Sequence, residues 1–190
     1  WGGIFAAHPW LSGPKESYLG DINQGGGSSG EHSHALNLWQ HFGRKSNLGE
    51  IKSVFSKYNL IKKDKLYYDE KSYFLLETDT GFTGSVTQDV ITSPSRKSIK
   101  IQGKNLFVEW ICNNEGNKDL VRTVNCQNIT KKYIIDKSRP DDFIIELEHI
   151  LNRKDNTALS PINLKYGIKT MEVLISALES NLSNKQVNIF

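Results

Sequence analysis

No apolar run in the chain approaches the roughly 18 residues that a membrane-spanning helix needs, so no such helix is expected. The start, Trp1-Gly2-Gly3-Ile4-Phe5, carries no basic leader, no signal-type apolar region and no initiator methionine. A chain opening inside a strand-like apolar run is expected to be part of a longer one. Charge of one sign is also lacking: 24 basic residues are mixed with 21 acidic ones, for a net +3. That is too weak a footprint for nucleic acid. The pairs Lys62-Lys63 and Lys131-Lys132 are short, flanked by apolar residues, and read as solvated surface. Cysteine is scarce, with only Cys112 and Cys126, each inside an apparent strand. One bridge between neighbouring strands and two buried reduced thiols both fit; reduced thiols in a cytoplasmic protein are the expectation. With no Cys-x-x-Cys and no His-Glu-x-x-His, no metal site is expected.

The 190 residues, 37% hydrophobic and 24% charged, suit one soluble globular domain with a substantial core. A strand passing into a loop is expected over 1–10, and turn residues dominate 11–24. Residues 49–59 alternate apolar and polar as a strand, and Lys62–Glu70 reads as a polar connection. Further strands are expected at 72–80, 82–91, 96–102, 106–112 and 120–126. The breaks between them are too short for parallel crossovers, so the pairing should be antiparallel. Two helices follow. In the first, Ser138 is the expected cap, and Phe143, Leu147 and Ile150/Leu151 form the apolar stripe. In the second, which Ser160-Pro161 opens, Leu164, Ile168, Met171, Ile175, Leu178 and Leu182 form a stripe expected to face the core. A short apolar tail, 186–190, suits an edge strand. The order implies an α+β fold, a mainly antiparallel open sheet with helices packed on one face.

The chemistry concentrates in residues 25–42. Six small residues, Gly25-Gly26-Gly27-Ser28-Ser29-Gly30, run into a helical pattern holding three of the five histidines. Ser29 is the expected N-cap; Ala35, Leu38, Trp39 and Phe42 recur at helical spacing, and Gly43 ends the run. Glu31, His34 and Asn37 follow one another at intervals of three, which places them along one side of a helix. A histidine can take or return a proton near neutral pH, and a neighbouring carboxylate can orient it. Gly25, Gly27 and Gly30 also spell G-x-G-x-x-G, but a loop precedes them instead of a buried strand. No βαβ alternation follows, so a dinucleotide fingerprint is not expected. The glycines are expected to let the chain pass close to a ligand. His8, in His8-Pro9-Trp10, is a second candidate pocket residue, with strand-end packing as the alternative.

The run Gly25-Gly26-Gly27-Ser28-Ser29-Gly30-Glu31-His32-Ser33-His34-Ala35-Leu36-Asn37, followed by Gly49-Glu50-Ile51-Lys52-Ser53-Val54, resembles the second domain of the Gfo/Idh/MocA oxidoreductases. Asp79-Thr80-Gly81, Arg96–Gly103, Arg139-Pro140-Asp141-Asp142-Phe143 and Ser160-Pro161-Ile162 fit that family's later segments in order. The resemblance implies the C-terminal, substrate-side domain of an NAD- or NADP-dependent dehydrogenase acting on a sugar, cyclitol or nucleotide-sugar hydroxyl. The nucleotide would be bound mainly by an N-terminal Rossmann domain absent from these residues, leaving this chain inactive alone. His34 falls on the family histidine as proton relay, with Glu31 beside it. Many members carry an aspartate where this chain has Gly30. Asn37, Gly26, Gly27 and His8 would contact substrate. A homo-oligomer through the open sheet face is implied. A non-catalytic carbohydrate-binding or dimerisation domain is the alternative.

Overall fold

The computed structural model describes residues 1–3, 14, 17–138, 140–152 and 160–189. They fall into two compact units, Trp1–Ser95 with Ser160–Phe190, and Arg96–Leu159. The fold is α+β with antiparallel sheets, as expected, but the strands expected in one sheet divide between two sheets of four.

In the first unit, two 3-10 turns, Tyr18–Gly20 and Ile22–Gln24, lead to helix α1 (Gly27–Glu31) and helix α2 (Ser33–Lys45). Strands β1 (Ile51–Lys63), β2 (Leu66–Thr78) and β3 (Thr83–Asp89) follow. After the second unit the chain returns as helix α4 (Leu164–Ser183) and strand β8 (Val187–Asn188), giving the sheet order β3-β2-β1-β8. The 186–190 tail thus does form an edge strand. The helices cover one face, burying Leu36, Val54, Phe74, Leu76, Val86, Val173 and Ala177 together. Strand alternation decides which residues enter: Leu76 is fully buried while its neighbour Leu75 is 55% exposed. Each such side chain is worth about 1.5–3 kcal/mol when fully buried.

Residues 62–70, expected as a connection, belong instead to a long β1–β2 hairpin. Asp64, at a left-handed φ of 55°, makes its turn. The charged tip lies in solvent, so no alternation marks it as strand. A bulge interrupts the hairpin: Asn59 pairs with Lys71 but Leu60 pairs with Asp69, leaving Glu70 as the extra residue. Ser72, Phe74 and Leu76 point into the core, so strict alternation would send Asp69 outward. The bulge reverses it, and Asp69 is fully buried.

Helix α4 corrects the sequence expectation most sharply. Leu164, Ile168, Met171, Ile175 and Leu182 are 50–77% exposed, while Thr170, Val173, Leu174, Ser176, Ala177 and Ser180 are buried. The helix lies close along β1 beyond the short β8, where it satisfies an otherwise open edge. Ser56 N–H donates to Ser180 Oγ at 3.0 Å, Tyr58 N–H donates to Asn181 Oδ1 at 2.9 Å, and the Ser56 hydroxyl donates to the Ala177 carbonyl. Only small side chains permit that approach, so the large aliphatic ones lie outside. Its cap is Asn163, accepting from Lys165 N–H at 2.8 Å, not Ser160.

Strands β4 (Ser98–Gln102), β5 (Leu106–Glu115), β6 (Lys118–Asn125) and β7 (Thr130–Asp136) form the second unit's meander. β7 was not expected. Helix α3 (Asp141–Leu151) follows, with Phe143, Leu147, Ile150 and Leu151 all more than half exposed. Ser138 does not cap it through N–H groups; its own N–H and hydroxyl donate to Asp141 at 2.6 and 2.5 Å. The sheet's buried residues are acids. Glu109 pairs with Arg122 at 2.8 Å, and Asp119 with Lys137 at 3.3 Å. Both cysteines are free; Cys112 is half-buried and Cys126 exposed, which corrects the expectation of two buried thiols. Among the described residues no helix is long and apolar enough to cross a membrane.

Candidate functional site

The glycine turn is built on Asp69. Gly25 and Gly27 take left-handed φ values of 79° and 82°, and a Cβ on Gly27 would lie 2.1 Å from Asp69 Oδ1. Asp69 accepts from Ser28 Oγ at 2.5 Å, Ser29 N–H at 2.7 Å and Ser29 Oγ at 3.0 Å. Ser29 therefore does not cap the helix; Gly26 occupies that position, and the serine serves the buried carboxyl. Burial pushes Asp69 above the usual carboxylate range, against the pull of the Ser28 and Ser29 donors. Burial, and then the Asp69 charge, likewise hold the Tyr58 hydroxyl well above its ordinary value.

The helix expected to run on from Ser29 is broken at His32, whose φ and ψ are −99° and 22°. Glu31 thus ends α1 and His34 lies at the second position of α2, so they share no continuous helical side. The helix also passes Gly43 to end at Lys45. Its buried residues are Ala35, Leu36, Gln40 and Gly43, a face rotated from the expected Ala35-Leu38-Trp39-Phe42 stripe. His32 is buried, His41 is half-buried and His34 is exposed. Burial, with Lys45 and Arg44 nearby, lowers His41 below the ordinary histidine value.

Glu31 accepts a short hydrogen bond from the Tyr18 hydroxyl. That bond, with burial and the Glu31 charge, pushes the phenol up to about 12. Asn37 turns the other way: its Nδ2 donates to Thr170 Oγ1 at 3.0 Å and ties α2 to α4. Thr170 Oγ1 also lies 2.7 Å from Gln40 Oε1. Gly26 and Gly27 are buried in the turn. His8 lies outside the described residues. The structure therefore brings Glu31, Gly26 and Gly27 into one turn, leaves His34 open to solvent beyond it, and engages Asn37 elsewhere. Tyr18 and Asp69 escaped the sequence reading. Tyr18 falls in a turn-rich stretch with no period, and Asp69 is inward only because of the bulge.

The turn does not suit a dinucleotide pyrophosphate. Two 3-10 turns, not a strand, precede it, and the Ser29 N–H that a phosphate would need is already given to a buried carboxyl. Among the described residues no group of three or more His, Cys, Asp or Glu could hold a metal ion. What the arrangement offers is proton chemistry: an accessible imidazole after a rigid turn, and a carboxylate partnered by a phenol.

No protein-family model matches the sequence. No curated protein matches it either. Solved structures do share its fold. An NAD-binding oxidoreductase from Klebsiella pneumoniae superposes with a TM-score of 0.77 at 15% identity, over 100% of this chain and 57% of that one. Levoglucosan dehydrogenase in complex with NADH gives 0.75 at 12% identity, over 95% and 56%. Aldose-aldose oxidoreductase from Caulobacter crescentus, complexed with glycerol, gives 0.69 at 15% identity, over 94% and 52%. The chain spans a little over half the length of these proteins.

Proposed function

We propose that this chain is the substrate-side domain of an NAD(P)-dependent oxidoreductase acting on a hydroxyl of a sugar, cyclitol or nucleotide sugar, with His34 as the proton relay. The observation that carries the reading is the exposed His34 just beyond a rigid glycine turn, in a fold shared with oxidoreductases that bind NAD and act on sugars. Oxidising a secondary alcohol removes a hydride and a proton. The nicotinamide, held by residues outside this chain, takes the hydride, and an imidazole is the side chain suited to the proton at neutral pH. Glu31, the last residue of α1 and fixed by Tyr18, supplies an acceptor for a second hydroxyl. The face of the first sheet opposite its helices, where Tyr73 and Leu75 are about half exposed, would pair subunits.

In the full-length enzyme, His34→Ala should lower kcat by on the order of 10²–10⁴ while nucleotide affinity stays nearly intact. Steady-state kinetics with separate nucleotide titrations provide the test, and an unchanged kcat would sink the relay.

A further inference from the structure

We propose that Asp69 is a positioning residue of this site: a buried carboxyl, turned inward by the β2 bulge, that fixes the glycine turn and hence the direction from which Glu31 and His34 are presented. Helix α1 has only five residues, too few to hold its own geometry, so its shape must be imposed from outside. Asp69 imposes it through three donors on two successive residues, Ser28 and Ser29.

The hydrogen bonds behind them run in one direction only. The single Ser28 hydroxyl proton goes to Asp69, so the Ser72 hydroxyl, 2.8 Å away, must donate to Ser28 Oγ. Gln88 Nε2 lies 3.4 Å from Ser72 Oγ and donates to it in turn. The same Gln88 amide donates to the Ser28 carbonyl at 3.2 Å. That carbonyl also accepts the His32 N–H at 3.1 Å, where α1 stops and α2 begins. The joint between the two helices is thus tied to a chain of donors that terminates on one carboxyl. Reacting groups displaced by about 1 Å can lose on the order of 10²-fold in rate, so a clamp remote from the reacting atoms can still govern turnover.

The effect on turnover rests on the proposed role of His34, but the geometric claim does not, and the experiment separates them. Asp69→Ala, Asp69→Asn and Ser28→Ala are compared by the NMR shift and titration of the His34 imidazole, and by kcat and KM of the full-length enzyme. Asp69→Ala and Ser28→Ala should move the His34 resonances in a folded protein and lower kcat about 10- to 100-fold, with nucleotide KM unchanged. Asp69→Asn keeps an acceptor for Ser28 Oγ and Ser29 N–H and should recover most of the loss. Where Asp69→Ala does not fold, Ser28→Ala decides alone. Unmoved His34 resonances in folded variants overturn the proposal. Shifted resonances with an unchanged kcat leave Asp69 as the clamp and remove His34 from the chemistry instead.

Discussion

Gly27→Ala tests the architecture of the turn most directly, because its cost can be set against a neighbouring glycine with nearly the same φ. Gly27 and Gly25 have φ values of 82° and 79°, so an L side chain pays the left-handed penalty of about 1–2 kcal/mol at both. Beyond that the two positions part. A Cβ on Gly25 meets nothing within 4 Å, whereas one on Gly27 lies 2.1 Å from Asp69 Oδ1 and 2.9 Å from the Asp69 backbone nitrogen. The carboxyl must then leave Ser28 and Ser29 partly unsatisfied in the interior, at about 1–3 kcal/mol. Gly27→Ala should therefore cost about 1–3 kcal/mol more than Gly25→Ala, or on the order of 5 °C in Tm for a chain of this size. Urea unfolding of both variants measures the difference. Asp69→Ala should be less than additive with Gly27→Ala, because the displaced group is already gone. Equal destabilisation of the two glycine variants would refute the packing of the turn on Asp69.

On helix α4, Val173→Asp should cost about 3–4 kcal/mol, whereas Ile175→Glu, at a position 63% exposed, should change stability by less than about 0.5 kcal/mol; paired denaturation curves check this. In the second unit, burial alone would raise Asp119, but Asn113 N–H, Trp110 Nε1–H and Lys137 outweigh it and hold the carboxyl below its usual range. A depressed carboxylate adds stability above its unfolded value, about 3.9, and that contribution disappears as pH falls through the lower folded value. Asp119→Asn should cost about 2–3 kcal/mol at pH 7 and flatten the acid limb of stability below about pH 4, measured by unfolding across pH.

The glycine run, a helix carrying His34 and most of the antiparallel strands were legible, because each is a local matter of conformational freedom or short-range alternation. The strand β7 and the polar end of the β1–β2 hairpin, which carry no such alternation, were not. The α4 stripe was not. Leu164, Ile168, Met171 and Ile175 show a clean helical period, but period alone does not say which face meets β1. Contact there is made by Ser56, Ala177 and Ser180, whose small size matters only once the two backbones approach. Asp69 was hidden for a related reason. It lies in a polar stretch beside Glu70, and only the pairing of β1 with β2 creates the bulge that turns it inward.

Composition and pattern by themselves determined an α+β chain with antiparallel strands and a glycine-rich turn leading to an imidazole, since those follow from the preferences of neighbouring residues. Tertiary structure decided that His34 stays open to solvent, that Asn37 is spent on Thr170, that Tyr18 meets Glu31, and that a buried carboxyl underpins the turn. Each of the three contacts joins residues 13 to 133 positions apart in sequence. Such pairs are set by strand register and helix docking, which no local preference encodes.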